Sequence, residues 1–210
     1  MTASEISSRP FEAVLCDLDN VIRFYDMAPV AELELAAGLA EGTTAKAAYA
    51  PEVDLPLLLG KITPEEWVDS IASALSDRVP LVRARELGKA FADAPFRADD
   101  AVVALLRRVG GLMPLVLVTN ATLELERDLE SMGLADLADH VVSSARVGVA
   151  KPGREIYEIA AERAGVAIRQ CLFVDDRLEN VEAALTLGMT GVHYREAADL
   201  QEALRFLSDD

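Results

Sequence analysis

No run of apolar residues in this chain approaches the ~18 positions that a membrane-crossing helix needs, so a transmembrane segment is not expected. Cysteine is nearly absent. Cys16 and Cys171 each stand inside an apolar, strand-like run, which excludes a disulfide framework and predicts free buried thiols in a reducing cytoplasm. Positive charge is scarce as well: 20 lysines and arginines face 36 acidic residues, for a net charge of −16. Such a surface repels phosphate backbones, so nucleic acid is not expected as a partner. There is no Ser/Gly-rich or Pro-rich tract and no internal repeat. The opening stretch MTASEISSRPFE lacks the basic-then-apolar order of an export signal, and a cytoplasmic location is the expectation.

What is present is ample material for a core. Of the 210 residues 51% are hydrophobic, and the length fits one domain or one domain with an insertion. Residues 13–17, 115–119, 140–143, 171–175 and 191–194 read as short buried strands rich in Val and Leu. Helical stretches alternate with them at about 98–109, 121–132, 154–164, 178–187 and 196–207, with Gly133 and Gly188 as stop signals. Continuously apolar strands alternating with helices predict an α/β fold, a three-layer Rossmann-like parallel sheet covered on both faces.

Residues 22–95 break this alternation and show no strand pattern. The segment TPEEWVDSIASAL places Thr63 and Glu66 at capping-box spacing, with Pro64 in the first turn and Trp67, Ile71 and Leu75 at helical intervals. Stretches 29–39 and 80–92 also read as helices. The organisation expected is therefore a core formed by 1–21 and 96–210, interrupted by a small all-helical domain at 22–95. Trp67 belongs to the core of that insertion.

In an open α/β sheet, ligands bind outside the carboxyl ends of the strands. Those ends carry Asp17 and Asp19, then Thr119 and Asn120, then Asp175 and Asp176; Lys151 follows the third core strand. Along extended chain, residues i and i+2 share a face, so Asp17 and Asp19 can address one small volume while Leu18 points away. Carboxylates ~4 Å apart repel by roughly 1–4 kcal/mol per pair, more than Lys151 alone offsets. An oxygen-only ligand set without His or Cys suits a hard divalent cation, Mg²⁺. A cation, a lysine, a hydroxyl and a spare carboxylate together equip a site for phosphoryl transfer: one Asp can attack phosphorus and a second can pass a proton to the leaving alcohol. Thr119 and backbone N–H groups at the following helix can hold phosphoryl oxygens.

The ordered motifs VLCDLDNV, LVLVTN, VAKPGREIY and LFVDDRLENVEAA make the chain resemble the haloacid dehalogenase-like hydrolase superfamily over nearly its whole length. The resemblance implies Asp17 as a nucleophile forming an aspartyl-phosphate, and Asp19 as general acid and base with its main-chain carbonyl on Mg²⁺. It implies Thr119 and Lys151 as further catalytic residues, Thr119, Asn120 and Lys151 as substrate-binding, and Asp17, Asp19, Asp175 and Asp176 as the metal set, with Asp176 a direct ligand, Asp175 direct or through water, and Asn180 supporting the loop. The helical insertion matches the family's cap domain. A Mg²⁺-dependent phosphatase of a small phosphorylated metabolite, such as a sugar phosphate, is the activity implied. Dehalogenases of the superfamily generally lack the second aspartate. A phosphomutase uses the same motifs, and a non-catalytic binding or regulatory module on this fold is the other alternative. The chain departs from the family pattern at Asn20, where Gly is usual, at Phe24, where many members carry Asp, and at Gly153-Arg154, where Asp-Pro is commoner. Thr119-Asn120 can equally cap a helix starting at Ala121. His140 and His193 read as structural, and Arg23, Tyr25 and Trp67 are candidates to line a substrate pocket.

Overall fold

A computed structural model of the chain describes residues 9–208. Its strands are β1 (Ala13–Cys16), β2 (Arg23–Tyr25), β3 (Phe96–Ala98), β4 (Leu115–Thr119), β5 (His140–Ser143), β6 (Cys171–Asp175) and β7 (Thr190–His193). The helices are α1 (Ala28–Ala36), α2 (Thr43–Ala48), α3 (Pro51–Leu58), α4 (Pro64–Leu75), α5 (Leu81–Ala92), α6 (Asp100–Gly110), α7 (Leu125–Ser131), α8 (Ser144–Val147), α9 (Arg154–Ala164), α10 (Leu178–Thr186) and α11 (Ala197–Ala203). None of them is long and apolar enough to cross a membrane.

Five strands form a parallel sheet in the order β5-β4-β1-β6-β7. Alternation along each strand explains why these segments are apolar throughout. Val14, Cys16, Leu115, Leu117, Leu172 and Val174 join one buried cluster. Ala13, Leu15, Val116, Val118, Cys171 and Phe173 join a second. Both faces of the sheet are therefore covered, by helices that supply Leu106, Val109 and Leu129 on one side and Ile156, Tyr157 and Ala160 on the other. Both cysteines lie in these strands, buried and free. The chain runs outward from β1 to β4 and β5, then returns to the far side for β6 and β7. The carboxyl ends of β4, β1 and β6 are consequently neighbours, and the loops after them share one edge.

The chain divides into two compact units, one made of the residues up to Phe24 with those from Ala98 onward, the other of Tyr25–Arg97. The second unit holds five helices around a core of Val30, Leu57, Trp67, Ile71, Leu75, Leu87 and Phe91. Its longest elements explain themselves. In α4 the Glu66 N–H donates to Thr63 Oγ1 (3.2 Å) and the Thr63 N–H donates to the Glu66 carboxylate (2.8 Å), closing the expected capping box. Gly88 lets α5 approach α4, since a Cβ there would lie 3.1 Å from the Val68 carbonyl oxygen.

Two local expectations are corrected, and two short helices appear where none was expected. The stretch 22–95 does contain strand, because β2 and β3 pair as a separate two-stranded sheet; at three residues each they are too short to show alternation. Helices α2 and α3, of six and eight residues, are too short for a legible period. The helix expected from Ala121 starts only at Leu125, because the Asn120 side chain is drawn to the main chain of Lys151 rather than to a helix start.

Candidate active site at the carboxyl ends of the strands

Asp17 is the residue immediately beyond β1, and its N–H still donates to the Val174 carbonyl of β6 (2.8 Å), fixing the turn against the sheet. Its Oδ1 accepts from the Leu18 N–H (2.8 Å) and lies 2.6 Å from Lys151 Nζ. Lys151 also donates to Asp175 Oδ2 (2.7 Å) and stands 5.8 Å from the centre of the Phe173 ring. The lysine is placed through its backbone. Asn120 accepts from the Lys151 N–H (2.8 Å) and donates to the Lys151 carbonyl (3.0 Å), joining the loop after β4 to the loop before α9.

Asp175, the last residue of β6, is fully buried and completely engaged. Its Oδ1 accepts from the Arg177 N–H (2.8 Å), the Asn180 amide reaches both of its oxygens (3.0 and 3.1 Å), and Lys151 takes Oδ2. Asn180 is in turn held by the Tyr157 hydroxyl, which donates to its carbonyl (2.9 Å). Asp176 is half-buried and far less occupied: the Asn20 amide donates to Oδ2 (2.9 Å). One carboxylate oxygen from each of Asp17, Asp175 and Asp176 falls within a set whose members lie within 4.8 Å of one another. Three carboxylates against one lysine leave negative charge in a confined space, and the donors are all oxygen. That donor set fits a hard divalent cation.

The electrostatics follow from burial. Desolvation pushes Asp17 up to about 7; Lys151 pulls the other way, while Asp175 and Asp19 add to the rise. Burial alone would lower Lys151, but attraction to Asp17 and Asp175 wins and holds the ammonium charged above its ordinary range. Asp176 is raised, chiefly by desolvation.

Thr119, closing β4, is buried and its hydroxyl has no hydrogen-bond partner among the described residues. A hydroxyl in that condition costs stability unless a ligand satisfies it. Asp19 lies apart from the three-carboxylate group. Arg23, buried, donates Nε to Asp19 Oδ1 (2.6 Å) and Nη2 to Oδ2 (3.1 Å), and reaches Asp128 on α7 through Nη1 (2.7 Å).

Several of these contacts were not foreseen. Arg23 grips Asp19; Asn120 serves Lys151; Asn20 and His193 both touch Asp176. Trp67 packs on Phe91 with ring centres 5.9 Å apart, and Tyr25 meets Phe96 edge-on at 5.6 Å.

Fold and site together describe a parallel α/β domain with a cluster of carboxylates and a lysine at the carboxyl ends of its central strands. A family model for haloacid dehalogenase-like hydrolases matches residues 11–188, and the chain belongs to that family. It is 30% identical over 142 residues to the sesquiterpene phosphatase astK of Aspergillus oryzae, a match covering 66% of this chain and 70% of that protein. It is 39% identical over 120 residues to phosphatase MT3486 of Mycobacterium tuberculosis, covering 52% of this chain and 55% of that protein; the chain thus spans about half the length of this second relative. Among solved structures it resembles the HAD family enzyme bt-2542 of Bacteroides thetaiotaomicron, with TM-score 0.71 and 19% identity over 94% of this chain and 100% of that one. The same enzyme has been solved in complex with magnesium and inorganic phosphate (TM-score 0.67). At that identity the likeness speaks for the fold.

Proposed function

We propose that the chain is a Mg²⁺-dependent phosphatase of a small phosphorylated metabolite, acting through an aspartyl-phosphate on Asp17. The observation that carries this reading is the pairing of Asp17 with Lys151 beside two further carboxylates and an unpartnered, buried Thr119 hydroxyl. Asp17, Asp176 and the Asp19 carbonyl would hold the cation, with Asp175 orienting the site from behind. When bound, Mg²⁺ would neutralise phosphoryl charge and let an anionic nucleophile approach.

The chain's own groups do the rest. Lys151 fixes the Asp17 carboxylate through Oδ1, leaving Oδ2 as the nucleophilic oxygen. The Thr119 hydroxyl donates to a phosphoryl oxygen, and its burial makes that bond strong. Once one Arg23 contact opens and Asp19 has taken a proton from solvent, it gives that proton to the departing alkoxide, then takes one from the water that cleaves the aspartyl-phosphate. Both Asp19 oxygens accept from Arg23, so one of these contacts opens during the cycle while Asp128 retains the guanidinium. Substrate selection we assign to the helical unit Tyr25–Arg97, in the role of the cap domain expected of the family. Presence of Asp19 favours hydrolysis of phosphoesters over carbon–halogen bonds.

The test is phosphate release from a panel of sugar phosphates, nucleotides and other phosphomonoesters, with Mg²⁺ and with chelator. Expected is turnover that requires Mg²⁺ and disappears in Asp17→Asn. Turnover that survives chelation and this substitution would overturn the proposal, and isomerised sugar phosphate without phosphate release would reassign the chain to the phosphomutases.

A further inference from the structure

Asp176 is held from two sides, by residues far apart in sequence. The Asn20 amide donates to its Oδ2 (2.9 Å), and His193 Nε2 lies 2.9 Å from its main-chain oxygen. A carbonyl only accepts, so Nε2 carries the proton in this contact. His193 ends β7, where it is paired in register with Asp175, which sets the imidazole beside the loop that follows β6. The second contact comes from Asn20, three residues after Asp17.

Asn20 has a second peculiarity. Its φ is +58°, and among the described residues it is the sole non-glycine with a positive φ. Glycine takes such a backbone without strain, and asparagine is one of the few side chains that tolerates it. Glycine would satisfy the turn but could not reach Asp176. A side chain at a strained position, hydrogen-bonded to a carboxylate 156 residues away, does something that the turn alone does not require.

We infer that Asn20 and His193 are positioning residues for the cation: together they orient the Asp176 carboxylate, with Oδ2 tied to Asn20 and Oδ1 offered to the metal. The inference rests on the Mg²⁺ site proposed above and deepens it. Asp175 needs no such bracket, because Lys151, Arg177 and Asn180 already fix it. Partners that hold a metal-binding carboxylate in place commonly govern affinity by about 10–100-fold.

Titration calorimetry with MgCl₂ alone, on the full chain without substrate, tests this for the unsubstituted protein, Asn20→Gly, His193→Ala and His193→Gln. Melting in chelator reports whether each variant folds. Expected is a dissociation constant raised about tenfold in Asn20→Gly and in His193→Ala. His193→Gln, whose amide N–H can replace the imidazole donor, recovers most of the loss. In turnover assays the effect concentrates in the Mg²⁺ concentration needed for half-activation, with a smaller fall in kcat at saturating metal. Unchanged Mg²⁺ constants in Asn20→Gly and His193→Ala, beside normal binding by the unsubstituted chain, would overturn this inference alone. No Mg²⁺ binding by the unsubstituted chain would overturn the metal site and the inference with it.

Discussion

Lys151 Nζ lies 2.6 Å from Asp17 Oδ1, and both side chains are almost wholly removed from solvent. Burying such a pair is costly, and the cost is bearable only because a second carboxylate, Asp175, completes the lysine's surroundings. Replacing Lys151 by Met would leave two buried carboxylates facing each other. The expected loss is about 3–5 kcal/mol of folding stability, together with loss of turnover. Urea denaturation in chelator measures the first; a variant as stable as the unsubstituted chain would show that the ion pair is not what holds these loops together.

Asp17 carries its own pH signature. Burial lifts its carboxyl to about 7, far above the ordinary carboxylate range, so the folded chain keeps a proton that the unfolded chain has already lost. The resulting contribution to stability is fully present below the unfolded value near 4 and is lost as pH rises through about 7. Asp17→Asn has no such proton. In metal-free buffer its stability relative to the unsubstituted chain should therefore improve between about pH 4 and pH 7 and level off above that, while its phosphatase activity is absent. Denaturation midpoints at four pH values across this window decide it; parallel curves would mean that Asp17 stays ionised throughout.

Much of this site could be read from the sequence, and the reason is structural. Strands buried on both faces are continuous apolar runs, so β1, β4 and β6 stand out, and the polar residues that end them announce the edge where they meet. Asp17, Lys151, Asp175 and Asp176 do meet there. The contacts that were illegible join residues without any local pattern between them: Arg23 to Asp128 across 105 positions, His193 to Asp176 across 17, Asn20 to Asp176 across 156. Periodicity reports which face of an element is buried. It carries no information about which loop a polar side chain will reach. Glu34 makes the same point in the helical unit, where its buried carboxylate accepts from the N–H groups of Gly42 (2.8 Å) and Thr44 (2.5 Å) at the start of α2. Nothing near Glu34 in sequence marks that task.

Thr119 offers a substitution in which stability and activity should move apart. Its hydroxyl is buried and unpartnered, so the fold gains nothing from it. Valine has the same shape without the polar group. Thr119→Val should be neutral or stabilising by about 1 kcal/mol, yet lower kcat/KM by about a hundredfold, the usual loss when one preorganised donor to a reacting oxygen is removed. The pair of measurements is decisive, since a destabilised variant with normal turnover would make the hydroxyl structural.

The two adjacent acids of the β6 loop are expected to fail in different ways. Asp175 is saturated by Lys151, Arg177 and Asn180 and has no exposure, whereas Asp176 has a single side-chain donor and is half-buried. In Asp175→Asn an amide N–H would face donors, and the buried lysine would lose one of its two counter-charges. Folding stability should fall by about 2–4 kcal/mol, with activity following the loss of structure. Asp176→Asn should keep its melting midpoint in chelator, because partial exposure lets water replace what is lost. Its defect should appear instead as weaker Mg²⁺ binding and a higher Mg²⁺ requirement for turnover. Parallel melting and MgCl₂ titrations of the two variants separate these roles. If Asp175→Asn melted normally but bound Mg²⁺ poorly while Asp176→Asn did the reverse, the assignment of orienting and ligating acids would have to be exchanged.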